Sequence, residues 1–257
     1  IIGSTPQGAT LLKFLYKNPV RVEYSNTPGL CSKFSFQTGE IFIPPDYKES
    51  DLVLALTIAR AAHIHRLRTL SGLDEIISEE EELGALFQAR LAVEAGLVNA
   101  DFNKTAVSAG LKTDLCTYVL EGSAYAVEQA RKKALSPDAD CRRPLDALEN
   151  QRVWLKKTRQ AINDETFYQL LYERDMALVR KGAMSMNEAM KNDAALRAMP
   201  SYEIYRFQRT FYDKQSDIFT RFAIGYSREI REDAAWRAAH QPDIDRAREE
   251  FSACNLP

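Results

Sequence analysis

No stretch of this chain approaches the roughly 20 apolar residues needed to span a bilayer. The longest apolar segment, Leu52 to Ile64, is interrupted by Thr57 and Arg60. There is no charge excess either. The formal net charge is -2 and the pI is near 6.0, so nucleic acid and anionic membrane surfaces are not expected partners. Basic clusters such as REIREDAAWR are interleaved with acids and read as solvated helix faces. The four cysteines, Cys31, Cys116, Cys141 and Cys254, form no Cys-x-x-Cys pair, which argues against a structural zinc site or a thioredoxin-type motif. Buried free thiols and disulfides both remain open, and spacing cannot choose the pairing. Gly-Ser at 3 and 4, Gly-Ala at 8 and 9 and Gly-Leu at 29 and 30 cradle no phosphate, and no Gly-x-Ser-x-Gly elbow occurs. No cofactor motif is present. The chain begins Ile1-Ile2-Gly3 without an initiator methionine, as expected of a processed or excised chain, so an exported or tethered state is compatible with it. Long-period repeats and low-complexity tracts are absent.

What is present suits a globular protein of one large or two modest domains. The chain has 257 residues, 45% of them apolar and 27% charged. Gln7 to Tyr16 has helical spacing, with Leu11, Leu12, Leu15 and Tyr16 on one side. Val20, Val22 and Tyr24 alternate with Arg21 and Glu23, the period of a half-buried strand. Phe34 and Phe36, the Thr38-Gly39 turn and Glu40 to Ile43 read as a β-hairpin ended by Pro44-Pro45. Ser50 is positioned to cap a helix that Ser71-Gly72 ends. Ser78 and Glu81 fit a capping box for the next, whose four glutamates favour the positive end of its dipole. Lys112 to Leu135 reads as one long helix, and further helices are expected near 145–162, 165–182, 185–198 and from Pro200 to about Trp236. The expectation is an α+β fold, predominantly α. A small antiparallel sheet packs on a buried helix over 1–136, and a helical region follows over 137–257, either separate or packed as one unit with the first. The loop from Pro137 to Pro144 marks the boundary.

The segment from Ser50 to Leu70 carries the chemistry. It is apolar nearly all round from Leu52 to Ile64, so it reads as a buried helix. Two of the three histidines, His63 and His65, lie near its end, and a Glu79–Glu82 run opens the next helix. A zincin holds its metal with the two histidines of His-Glu-x-x-His, four apart on one helix face, while the glutamate activates water. Strand, hairpin, aliphatic helix ending in histidine, then Glu-Leu-Gly-Ala and Gln88 resemble bacterial zincin-like metallopeptidase domains of unknown function. The resemblance covers about residues 8–94. It places His63 at the second histidine position, Ala59 at the first and Arg60 at the catalytic glutamate. Glu82 matches best the position of a later acidic ligand. Alanine cannot bind metal, and an always-protonated arginine cannot act as the base. His63 and His65, two residues apart, diverge by about 200° on an intact helix. His63 with Glu82 and a third ligand such as His240 is the rival arrangement. An ordinary packed histidine and a solvated acidic cap would explain the same residues. Arg60, within an apolar helix, is expected to pair with Glu82, or failing that with Glu79 or Glu81.

Tyr205, Tyr212, Phe219 and Tyr226 recur every seven residues beside Ile204, Phe211 and Ile218, a stripe on one side of a long helix. Packing against the 165–182 helix is the simpler expectation; docking or self-association through this stripe is the functional one. Cys31 has no histidine nearby in sequence. The expected function is a non-catalytic, zincin-like scaffold acting through binding or assembly, with no catalytic residue, metal or cofactor and His63, Arg60, Glu82 and His65 as the remnant site. A metal-dependent hydrolase with an irregular ligand set and a purely structural helical protein are the alternatives.

Overall fold

A computed structural model describes residues 2–25, 33–35, 39–43, 45, 47–73, 78–102, 106–135, 166–252 and 254, some by backbone alone. The expected helix near 145–162, the Pro137–Pro144 loop, Cys31 and Cys141 lie outside them. By internal contact the chain forms two units, Ile1–Leu148 with Arg221–Pro257, and Glu149–Thr220. The last 37 residues thus group with the front of the chain rather than with the helices that precede them.

Helix α1, Pro6–Lys17, starts at Thr5, whose Oγ1 accepts from the Gly8 amide at 3.0 Å. A Cβ on Gly8 would stand 1.9 Å from the Ile2 carbonyl oxygen, so this contact requires glycine. The spacing of α1 is as expected but its face is narrower: Leu11 is fully buried, whereas Leu12 and Tyr16 are exposed. Strands β1, Arg21–Tyr24, β2, Lys33–Ser35, and β3, Glu40–Ile43, follow in the order β1-β3-β2. The sheet is therefore mixed rather than wholly antiparallel. β2 and β3 pair antiparallel as a hairpin, and β1 runs parallel to β3. Alternation fixes which residues share a face but not strand direction, and a hairpin placed beside a preceding strand by its second arm runs parallel to it. Ile41 and Ile43 of the central strand are buried, while Val22 and Tyr24 on the β1 edge are exposed.

Helix α2, Asp51–Ser71, packs against β2, β3 and α1. Ser50 caps it, accepting from the Val53 amide at 3.3 Å. Val53, Leu56, Ala59 and Ala62 enter the core with Leu11, Ile41 and Ile43. Helix α3, Ser78–Glu94, is buried on every side from Glu82 to Val93 because α1, α2, α4, α5 and α9 all touch it. It is the axis of the first unit.

The expected single helix over Lys112 to Leu135 is two, α4, Ala106–Glu121, and α5, Ser123–Leu135. Gly122 between them has φ +94°, a left-handed conformation that ends α4 and turns the chain so that both helices pack on α3. In the second unit, α6, Thr166–Arg180, and α7, Met186–Arg197, are joined by a tight turn at Gly182, φ +68°. There the Ala183 amide bonds Leu178 O at 2.9 Å and the Gly182 amide bonds Val179 O at 3.0 Å, a Schellman ending. Helix α8, Pro200–Ala239, belongs to the first unit from Arg221 onward, and α9, Gln241–Glu250, follows it. Ile244 and Phe251 fix this C-terminal segment in the core, and a disulfide joins Cys116 of α4 to Cys254. Among the described residues no helix is long and apolar enough to cross a membrane.

Candidate functional site

The four glutamates that open α3 are each turned about 100° from the next, so they fan out towards different neighbours. Glu80 accepts two hydrogen bonds of 2.5 Å from Arg68 of α2, and both ends are buried. Glu81 accepts from Arg60 Nη2 at 2.9 Å. Glu82, fully buried, accepts from Arg131 of α5 at 2.6 and 3.2 Å and from the Tyr226 hydroxyl of α8 at 2.5 Å. Arg60 therefore pairs with Glu81, the last of the three acids expected for it, and not with Glu82. Its Nη1 donates to Gln88 Oε1 at 3.3 Å and lies 3.6 Å from Asp114. Burial works against the Arg60 charge, but Glu81 and Asp114 outweigh it and raise its pKa further. Gly84 makes room for this arm. A Cβ there would come within 3.2 Å of Arg60 Cγ and Ile64 Cδ1.

His63 lies on the side of α2 that faces α3. Its ring stacks on Phe87 with centroids 4.1 Å apart and planes 6° from parallel. It is 1% exposed, and neither Nδ1 nor Nε2 has a hydrogen-bond partner. Burial, then the Arg66 and Arg90 charges, lower its pKa to about 3, so the imidazole is neutral. His65 looks the other way, with its ring 5.7 Å edge-on to Phe14 of α1; burial lowers its pKa too, against a hydrogen bond with the Asn18 backbone that raises it. The two histidines diverge as their spacing requires. His240 stacks on Trp236 at 4.3 Å, with Nε2 3.8 Å from Glu94.

A second polar chain runs deeper along α3. Arg90 Nε donates to Asp233 Oδ1 at 2.5 Å and Nη2 to Glu229 O at 3.1 Å. Asp233 also accepts from the Tyr118 hydroxyl at 3.0 Å and from Ser123 Oγ. Burial first, then Asp233, raises the Tyr118 pKa. Glu94 accepts from Trp236 Nε1 at 3.1 Å and from the Gln7 amide at 3.2 Å. Tyr226, Glu229, Asp233 and Trp236 thus form a stripe on α8 that serves α3. Sequence reasoning missed this chain. Its signal was Arg90 itself, a charge inside the apolar run of α3 that needs a buried acid.

These residues do not fit a zincin metal centre. Ala59 offers no donor, Arg60 carries a positive charge paired with Glu81, and Glu82 is committed to Arg131 and Tyr226. Among the described residues no group of three His, Cys, Asp or Glu side chains is placed to hold a metal ion. Comparison with family models, curated proteins and solved structures yields no match.

Proposed function

We propose that this chain is a non-catalytic scaffold of zincin-like descent that acts through protein binding or assembly. One observation carries the reading. Arg60, which the resemblance sets at the base position, is tied to Glu81 and Gln88. An ion pair there substitutes a fixed internal charge for a metal. The neutral, stacked His63 supports the same reading, since an imidazole packed on Phe87 behaves as a core side chain.

The surface for binding is the portion of the expected aromatic stripe that lies in the second unit. Phe207 and Phe211 beside it are 74% and 46% exposed, whereas Ile218 and Phe219 are buried and Tyr226 is taken by Glu82. Among the described side chains of this stretch, Phe207 and Phe211 are therefore the ones offered for contact.

One observation favours the rival, a metal-dependent hydrolase with an irregular ligand set. Both ring nitrogens of His63 lack a partner, as a ligand waiting for a metal would. Metal content and peptide hydrolysis of protein purified without chelator or nickel separate the two. The scaffold reading expects neither stoichiometric metal nor activity. One zinc per chain that is lost in His63→Phe, with hydrolysis lost alongside, would replace it with the rival. The scaffold reading also expects the complex or oligomer the chain forms to weaken when Phe207 and Phe211 are both changed to serine.

A further inference from the structure

All five methionines of the chain, Met176, Met184, Met186, Met190 and Met199, fall within 24 residues of the second unit, and the other 233 residues contain none. Three of them sit in Met184-Ser-Met186-Asn-Glu-Ala-Met190. Ser185 caps α7, its Oγ accepting from the Glu188 amide at 3.1 Å. Met186 is consequently the first helical residue, and Met190 lies one turn on along the same face, where side chains four apart are neighbours. Met184 leads into that turn from the Gly182 Schellman ending, so all three stand on backbone held at both sides by hydrogen bonds. Asn192 Nδ2 donates to Asp175 Oδ2 at 2.9 Å and ties α7 to α6. Met186 and Met190 are 48% and 64% exposed. Core packing therefore does not account for their sulfur.

We infer that Met184, Met186 and Met190 form a binding site for a soft monovalent metal, Cu(I). Thioethers select Cu(I) over Zn(II) and over hard cations, and unlike thiols they do not form disulfides. Cys116 and Cys254 are joined to each other, so neither offers a thiolate to compete for the ion. The positive end of the α7 dipole opposes a cation. A single charge limits that penalty, and Glu188 in the same turn offsets it. Leucine in place of Met186 and Met190 would keep a purely apolar docking surface nearly intact in size, so the two roles separate cleanly. The site is independent of the Arg60 region and of the scaffold reading.

The test is anaerobic titration of the intact protein with Cu(I) against a chromogenic Cu(I) chelator. A parallel titration uses Ag(I), which does not change oxidation state. One ion per chain is expected, with affinity falling at least about tenfold in Met186→Leu and again in Met190→Leu, and unchanged in Met199→Leu. The methyl signals of Met184, Met186 and Met190 alone should shift when Ag(I) is added to methyl-labelled wild type. Absence of binding, binding retained in the Met186→Leu/Met190→Leu variant, or shifts confined to Met176 and Met199 would each overturn the inference. Unchanged circular dichroism of the leucine variants shows that folding is not what they alter.

Discussion

The two units use charge in opposite ways. In the first, Arg68, Glu79, Glu80, Glu82, Arg90 and Asp233 are all buried. Most of them are joined across helices, as in Arg68–Glu80, Arg131–Glu82 and Arg90–Asp233. In the second, the pairs Arg197–Asp193 and Arg209–Asp213 lie along single helices near the surface, and Asp175 is the one buried charge among the described residues. Exposed apolar side chains are denser in the second unit. Among the described residues Leu170, Tyr172, Met186, Met190, Met199, Phe207 and Phe211 are exposed there, and Leu12, Tyr16, Val22, Tyr24, Leu70, Val98 and Ile224 in the much longer first unit. A buried ion pair adds little net stability over an apolar pair, but losing one member is costly. The first unit is therefore sensitive to the loss of any one of these partners, while the solvated pairs of the second are singly dispensable.

The sharpest way to break this contrast is to remove one acid from each unit on the same helix. Asp233→Ala leaves Arg90 buried and takes a partner from Tyr118, so urea unfolding should show a loss of about 3–5 kcal/mol. Asp213→Ala, in a solvated pair 3.9 Å apart, should cost under about 1 kcal/mol. Equal losses would mean that the Arg90–Asp233 chain is not the framework described. Next in size is Gly8→Ala. Its methyl group must displace the Ile2 carbonyl or shift α1, at a cost of about 1–3 kcal/mol measured the same way; a neutral substitution would show that α1 is loosely held.

His63 gives a smaller effect with a distinctive pH dependence. Its folded pKa of about 3 lies below the ordinary 6.5, so between these values the unfolded chain binds the extra proton. The contribution of neutral His63 is complete above pH 6.5 and declines as pH falls towards 3, by about 1.4 kcal/mol per pH unit. His63→Phe keeps the ring against Phe87, removes two unpartnered nitrogens and should flatten that slope, with stability at neutral pH no lower than wild type. An unchanged acid slope would assign it to other groups. Smallest is Phe207→Ala in the second unit, expected to stay within about 0.5 kcal/mol of wild type. A larger loss would show that this face is already packed.

Much of the architecture is legible in the residues, and the exceptions have physical causes. The run from Leu52 to Ile64 marks a buried helix because no face of it is polar. Ile41 and Ile43 mark the strand that enters the core. Period-two alternation is blind to direction, which is why the parallel pairing of β1 with β3 is not foreseeable. The break at Gly122 hides inside helical spacing that continues on both sides of it. At the candidate site, the need of Arg60 for an acid follows from its apolar surroundings. The choice of Glu81 does not, because adjacent glutamates differ only in angle around α3. That angle has meaning only once Arg131 and Tyr226, distant in sequence, have claimed Glu82.

On the proposed reading the first unit needs no bound metal: apolar packing around α3 holds it together, and the ion pairs fix how its helices meet. A metal that bound the native state alone would raise the unfolding midpoint by mass action. Urea unfolding of the wild-type chain should therefore be compared in excess chelator and in excess zinc, with His63→Phe alongside. The account predicts the same midpoint in both solutions. A rise with zinc that disappears in His63→Phe would contradict it.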